Sequence, residues 1–217
     1  MTLPSRRDRA SRTRSALISI ASRRQRPGSG SSREQLAERT ARIRWPDLSD
    51  VLRGIPWAVT GAVATRTYMP ERATRVFDVV VLQRDATTAR ERMRAAGYTQ
   101  EGELSIGGST WRAAAGPSVD LIEGSESWLA DALALAEANR DQQDLPILPL
   151  AYLVLMKLAA SRVQDVADVT RMLGGASDAE LERVRAAVQR YAANLAEYLE
   201  SLIALGQLEL RGDGDAP

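Results

Sequence analysis

A short apolar segment rich in β-branched residues, Val76–Gln83 (VFDVVVLQ), constrains the fold of this chain most strongly. Its length and composition predict a buried strand. The sequence before and after it alternates between strand and helix patterns, and the sequence after Ser125 becomes helical. The chain is therefore predicted to be an α/β (α+β) protein, with a small sheet unit followed by a helical segment.

Turn residues and apolar spacing place the other elements. A glycine pair, Gly107-Gly108, predicts a hairpin turn, and Asp85 is expected to cap the helix that follows it. Predicted strands are 57–60, 76–83, 104–106, 110–114 and 119–122. Predicted helices are a short one after the cap residue Ser32, then 48–53, 61–68, 85–96, 128–139, 150–160 and 163–173, followed by an amphipathic helical stretch over 178–205.

Charge is segregated along the sequence, because the first 44 of its 217 residues hold twelve arginines against only three acidic side chains. Composition predicts the following division: a disordered Arg/Ser-rich tail at 1–32, short helices at 33–56, the α/β core at 57–125, a helical segment at 126–205 and a disordered tail at 206–217.

The Arg/Ser-rich tail admits three interpretations: an organelle transit peptide, an arm that contacts nucleic-acid phosphates, or a solvated extension. The longest apolar run, 145–160, is interrupted by prolines and a lysine and is too short to span a bilayer, so no contact with a membrane is predicted. We expect a cytoplasmic protein.

Cysteine and histidine are both absent. Disulfides, Cys/His zinc sites and imidazole acid/base chemistry are therefore excluded. Any catalysis must use carboxylates, Lys, Arg, hydroxyl groups or a hard metal ion.

Asp78 is the unusual residue of the central strand, because a carboxylate among Val, Phe and Leu loses hydration at considerable cost unless something pairs with it. A metal ion or a cationic ligand is one such partner. The alternatives are a position at the solvated end of the strand and a salt bridge to Arg72 or Arg75. Asp120 lies in a similar setting, and a neighbouring strand would bring it beside Asp78 as a second Mg²⁺ ligand. Alone, Asp120 equally fits a surface strand position.

Thr60–Ala64 forms a strand-to-helix turn of small residues, which predicts either a phosphate site at exposed amides or a tight turn packed under a sheet. The only lysine, Lys157, lies in an otherwise apolar helix. A break near Ser161 would bring it close to Asp165 and Asp168. Nucleotide binding and a structural ion-pair network with Arg162 are both compatible with this pattern.

Taken in order, these pieces resemble the AbiEii-type toxin family and related minimal nucleotidyltransferases of the polymerase-beta-like superfamily. The family carries a Gly-Gly or Gly-Ser turn, a strand motif Arg-x-Thr-x-Asp-x-Asp, a later strand aspartate, and a helix pair Lys-Leu-x-Ala-x-x-Arg-x-x-Asp-x-x-Asp. The matching residues here are Gly61, Ala62, Arg72, Thr74, Asp78, Asp120, Lys157, Arg162, Asp165 and Asp168.

The resemblance implies a nucleotidyltransferase core in which Asp78 and Asp120 hold Mg²⁺ and act with Lys157 in catalysis. It also implies that Gly61, Ala62, Arg72, Thr74, Lys157, Arg162, Asp165 and Asp168 bind an NTP. The implied reaction transfers a nucleotide to an acceptor, RNA being one candidate, and an antitoxin is the implied protein partner.

Two positions depart from the motif: Val76 replaces the first strand aspartate, and Ala62 replaces the second glycine or serine. Losing a bridging carboxylate weakens both metal affinity and transition-state stabilisation. Three hypotheses follow: an active nucleotidyltransferase, possibly weakened; an inactive descendant that binds a nucleotide or a partner protein; and a nucleic-acid-binding module dominated by the tail.

Overall fold

The structure is a computed structural model, and it describes residues 44–69, 74 and 76–212. Five strands form one sheet: β1 (Trp57–Val59), β2 (Val76–Leu82), β3 (Thr99–Glu103), β4 (Gly108–Arg112) and β5 (Ser118–Gly124). Among these described residues, seven α-helices accompany it: α1 (Gly61–Thr65), α2 (Ala86–Ala95), α3 (Leu129–Ala136), α4 (Leu150–Ala160), α5 (Val163–Gly174), α6 (Asp178–Tyr191) and α7 (Ala196–Gly212).

The sheet is mixed, with the strand order β1-β2-β5-β4-β3. β2 and β5 pair in parallel, whereas the other three pairs are antiparallel. Parallel neighbours need a long crossover, and here the crossover includes α2 and the β3–β4 hairpin. The predicted α/β class, with a mixed sheet flanked by helices and followed by a helical segment, is confirmed.

Alternation along β2 gives the sheet one fully apolar face. Phe77, Val79 and Val81 are completely buried there. Trp45 stacks on Phe77 with ring centres 5.6 Å apart, and Arg94 of α2 lies over the Trp111 ring. Helix α2 and the segment around Trp45 therefore cover this face.

The opposite face carries Asp78 and is covered only in part. Helix α1 lies against β2 beside Asp78, and Leu129 of α3 packs against Gly124 of β5. The row of side chains that continues from β2 toward β4 on this face is only partly buried. An open, polar area therefore remains between the sheet and the helices.

The helical segment is tied to the sheet through the edge strand β1. The N–H of Val59 donates to the carbonyl of Pro146 at 2.7 Å, and Leu148 N–H donates back to Val59 at 3.0 Å. The chain between α3 and α4 thus fixes the position of α4 beside the end of β1.

The amphipathic stretch predicted over 178–205 is helical, but it forms two helices, because the chain breaks at Ala192 into α6 and α7. A single helix of that length would extend about 40 Å away from the core. The break instead lets α7 pack along α5, where Gly206 and Gly174 bring the two backbones into contact. Helix α7 also continues to Gly212, into the region predicted to be disordered.

Two other element predictions are also wrong. Residues 48–53 form successive turns, with Leu52 N–H donating to Leu48, rather than a helix. The predicted strand at 104–106 is a turn, closed by the hydrogen bond from Leu104 N–H to the Gly108 carbonyl; its side chain Ile106 is 71% exposed. The hairpin strand lies earlier, at Thr99–Glu103, in a polar sequence that carries no alternating pattern.

Asp85 does occupy the N-cap position of α2, but its side chain makes no capping hydrogen bond. The helix predicted after Ser32 and the tail at 1–32 lie outside the described residues. Among the helices that the structure describes, none combines the length and apolar character needed to cross a bilayer.

Candidate active site

Two carboxylates meet across the parallel strands β2 and β5. Asp78 and Asp120 are direct partners in the register, so their side chains project from the same face of the sheet. Thr110 of β4 is the next residue in this row, as the partner of Asp120, and its hydroxyl donates to Asp120 Oδ1 at 2.7 Å. The predicted pair is therefore brought together, with one oxygen of Asp120 held by a hydroxyl group.

The Asp78 carboxylate lies directly against the turn that opens α1. Gly61 has φ +61, and a Cβ at this position would overlap the carboxylate of Asp78. The backbone N–H of Ala62 acts to lower the pKa of the same carboxylate. Only glycine permits this approach at position 61, and the start of the helix lies against a carboxylate of the protein itself.

The sequence left two interpretations of this turn, a phosphate site at exposed amides or a tight turn packed under a sheet. Helix α1 is only five residues long, and it packs against β2 beside Asp78. The tight turn is therefore present, and the phosphate site stays a prediction. Thr60, just before the turn, donates its hydroxyl to Met156 Sδ of α4 at 3.3 Å, which places α4 beside the same turn.

Asp78 carries a strongly perturbed acidity. Burial, and then the neighbouring negative charge of Asp120, raise the pKa of Asp78 to about 6. The Ala62 hydrogen bond and the positive charges of Lys157 and Arg162 act in the opposite direction without cancelling the effect. Two adjacent carboxylates with unmet negative charge are the setting in which a cation gains most.

Val76 lies on the same strand face as Asp78, one pleat earlier, opposite Ser118 of β5. Neither residue supplies a carboxylate. Within residues 44–69, 74 and 76–212, no group of three or more acidic side chains is placed to hold a metal ion. The site thus offers two carboxylates where the resembled motif has three.

Lys157 is buried and forms two ion pairs. Its Nζ lies 3.2 Å from Asp165 Oδ1 and 2.8 Å from Asp168 Oδ2. Arg162 completes the cluster, with Nε 2.6 Å from Asp165 Oδ2, and Gln164 donates to Asp168 at 3.0 Å. The structural ion-pair network anticipated from the sequence is present and joins α4 to α5.

The acidity of Asp165 follows from this cluster. Burial alone would raise its pKa, but the hydrogen bond from Arg162 and the charge of Lys157 outweigh burial and hold the pKa below its usual value. Asp165 is thus a carboxylate that balances both cations. The side chain of Arg162 remains 76% exposed.

The cluster depends on a break between two helices. Ser161 adopts a left-handed conformation (φ 51, ψ 22) that ends α4, and its hydroxyl donates to the Leu158 carbonyl. The next residues begin α5 in a new direction, which folds Asp165 and Asp168 back onto Lys157. The predicted break near Ser161 is present.

Two predicted nucleotide-binding residues remain, Thr74 and Arg72. Thr74 accepts from its neighbour Val76 N–H at 3.3 Å, so its hydroxyl shapes the entry to β2. Arg72 lies outside the described residues. Sequence reasoning did not identify Thr110 or Gln164, whose contacts arise from strand pairing and from side-chain packing.

No protein-family model matches the chain, and no curated protein matches it. Among solved structures, the antibiotic-resistance factor ANT(2'')-Ia in solution is 13% identical, with a TM-score of 0.41; the match covers 83% of this chain and 90% of that chain. The crystal structure of ANT(2'')-Ia in complex with adenylyl-2''-tobramycin is 14% identical, with a TM-score of 0.37 and coverage of 82% and 94%.

Proposed function

We propose that this chain is a nucleotidyltransferase of reduced activity that transfers a nucleotide from an NTP to a hydroxyl acceptor. One observation carries the proposal: Asp78 and Asp120 are paired in register on an open sheet face, directly against the glycine turn. A purely structural role would not explain two adjacent carboxylates that raise the pKa of one of them.

The donor set fits one Mg²⁺ ion. Mg²⁺ binds carboxylate oxygens, and one or two carboxylates plus water and substrate phosphates commonly complete its coordination. Asp78 and Asp120 are the residues that would hold it. When bound, the ion would neutralise charge on the triphosphate.

Arg162 and Lys157 have different roles in the proposed reaction. Arg162 has an exposed guanidinium close enough to influence Asp78 electrostatically, so we assign triphosphate binding to it. Lys157 is buried between two carboxylates, so its role is to position the α4–α5 junction. The direct phosphate contact that the sequence predicted for Lys157 is therefore assigned to Arg162 in this proposal.

Reduced activity follows from Val76. Without a carboxylate at that position, less negative charge is available to hold a second metal ion, so both metal affinity and rate should be low. We further propose, from the sequence resemblance, a toxin-type enzyme with an RNA acceptor and an antitoxin partner.

The test is incubation of the full chain with labelled NTPs, Mg²⁺ and total RNA. Asp78→Asn should abolish incorporation, and Val76→Asp should increase it, because Val76 is partly exposed and lies on the metal-facing side of β2. Glu91→Gln, at an exposed position of α2, is the matched control and should have no effect. Incorporation that is absent in all variants, or that survives Asp78→Asn, would contradict the proposal.

A second candidate is a nucleotide-binding protein without catalysis, favoured by Val76 and by the engagement of Lys157 with two carboxylates. Calorimetry separates the two functions. Mg²⁺-dependent NTP binding without turnover, in both the parent chain and Val76→Asp, would support this second candidate.

A further inference from the structure

A cavity of about 500 Å³ opens between the end of α3, the start of α4 and one face of α6. Small-molecule sites commonly have this size, with a largely apolar wall and a few polar groups. None of the proposed active-site residues lines it. The cavity is therefore a separate feature of the helical segment.

Aromatic side chains are concentrated in this cavity. Three of the five tyrosines of the chain line it: Tyr68, Tyr152 and Tyr191. Tyr152 stacks on Trp128, with ring centres 5.6 Å apart, and the Tyr68 hydroxyl accepts a hydrogen bond from Asn139 at 2.9 Å. These contacts fix two of the rings, so a flat apolar ligand would meet preordered aromatic surfaces.

The space between the rings is kept open by small residues. Ala186 and Ala187 of α6 and Ala151 of α4 line the cavity, where larger side chains would fill it. Leu135 of α3, which is 55% exposed, adds an apolar edge.

Charge on the α6 wall favours an anion. Glu180, Arg183 and Arg190 all line the cavity. The Glu180 carboxylate is bound by the N–H and the hydroxyl of Ser177, at 2.8 and 2.6 Å. Both arginines are exposed. Arg190 lies over the Tyr191 ring, 5.0 Å from the ring centre, and the hydrogen bonds of Ser177, followed by the charge of Arg183, lower the pKa of Glu180. Two guanidinium groups thus line the opening beside one carboxylate that Ser177 also binds.

We propose that this cavity binds a small planar aromatic anion. The ring system lies between the tyrosines, and the carboxylate or phosphate of the ligand meets Arg183 and Arg190. Charge-assisted hydrogen bonds to guanidinium groups supply the selectivity for an anion.

The test is calorimetry of the full chain with 2-naphthoate and with the neutral 2-naphthamide. Naphthoate should bind about tenfold more tightly or better, since one charge-assisted contact is of that order. Arg183→Ala combined with Arg190→Ala should remove this advantage and leave naphthamide unchanged. Arg171→Ala, at an exposed position of α5, is the matched control and should bind as the parent does.

Two further variants locate the ligand. Ala187→Leu should weaken both compounds by filling the cavity, at a partly exposed position that tolerates a larger side chain. Naphthoate should also change the fluorescence of Trp128, and Trp128→Phe should remove that change. Asp78→Asn should leave binding unaltered, which separates this site from the active site.

Three outcomes would overturn the proposal. They are no binding of naphthoate at about millimolar concentration, equal affinity for the acid and the amide, and binding that Ala187→Leu does not weaken.

Discussion

Replacing Asp78 by Asn should stabilise the folded protein at neutral and alkaline pH. The raised pKa of Asp78, about 6 against an ordinary 3.8, means that the ionised carboxylate is less favourable in the folded state than in the unfolded one. The difference of roughly two units corresponds to about 3 kcal/mol at most. Because the side chain is partly exposed, we expect about 1–3 kcal/mol.

The pH dependence gives this prediction its sign. Above pH 6 Asp78 is ionised in both states, and the cost of holding the ionised carboxylate in the folded state lowers stability in full. As the pH falls through 6, the folded protein takes up a proton before the unfolded chain does, so its stability rises. Below 3.8 both states are protonated, and the advantage of Asn over Asp should disappear.

The assay is urea unfolding of the parent chain and Asp78→Asn at pH 8 and pH 4.5, with Glu91→Gln as the surface control. Adding Mg²⁺ at pH 8 should stabilise the parent chain more than the variant, because a bound ion favours the folded state. An Asn variant that is no more stable at pH 8, or equally more stable at both pH values, would refute the electrostatic reasoning.

Three other perturbations follow from contacts in the structure. Gly61→Ala should destabilise the fold by about 1–3 kcal/mol, since its Cβ overlaps the Asp78 carboxylate at a positive φ; a thermal melt should show part of the loss recovered in an Asp78→Ala background. Gly206→Ala should cost about 1–3 kcal/mol in urea unfolding, because its Cβ would meet the Thr170 carbonyl, whereas Gly102→Ala, with open space around it, should cost under about 1 kcal/mol. Lys157→Met should lower the free energy of unfolding by about 3–5 kcal/mol, because Asp165 and Asp168 stay buried without their cation. Adding Asp165→Asn and Asp168→Asn should recover most of this loss in urea unfolding. If the triple variant unfolds at the same urea concentration as the single variant, the buried charges are not the cause.

Local patterns were sufficient where one element decides the outcome. The β-branched run of β2, the apolar helix α4 and the break at Ser161 each follow from neighbouring residues. The charge spacing from Lys157 to Asp168 likewise predicted the ion-pair network.

Long-range pairing decided the rest. The β3–β4 hairpin was misplaced because the polar strand Thr99–Glu103 carries no alternation, while the apolar Ile106 lies in an exposed turn. The contact of Thr110 with Asp120 requires β4 to pair with β5 in one particular register. The break at Ala192 follows from the packing of α7 on α5, which no window of local sequence contains.

The same contacts bear on why the site has this form. Ionised Asp78 lowers stability, and Gly61 is required both by its positive φ and by the side chain at 78 that lies against it. An Asn at 78 would fold more easily, so stability alone does not account for Asp78. A cation placed between Asp78 and Asp120 would make the ionised carboxylate favourable in the folded state. The protein gains this stability only if it binds such a cation. We therefore expect the Mg²⁺-dependent stabilisation of the parent chain to appear even if Val76 has left the transfer reaction too slow to detect.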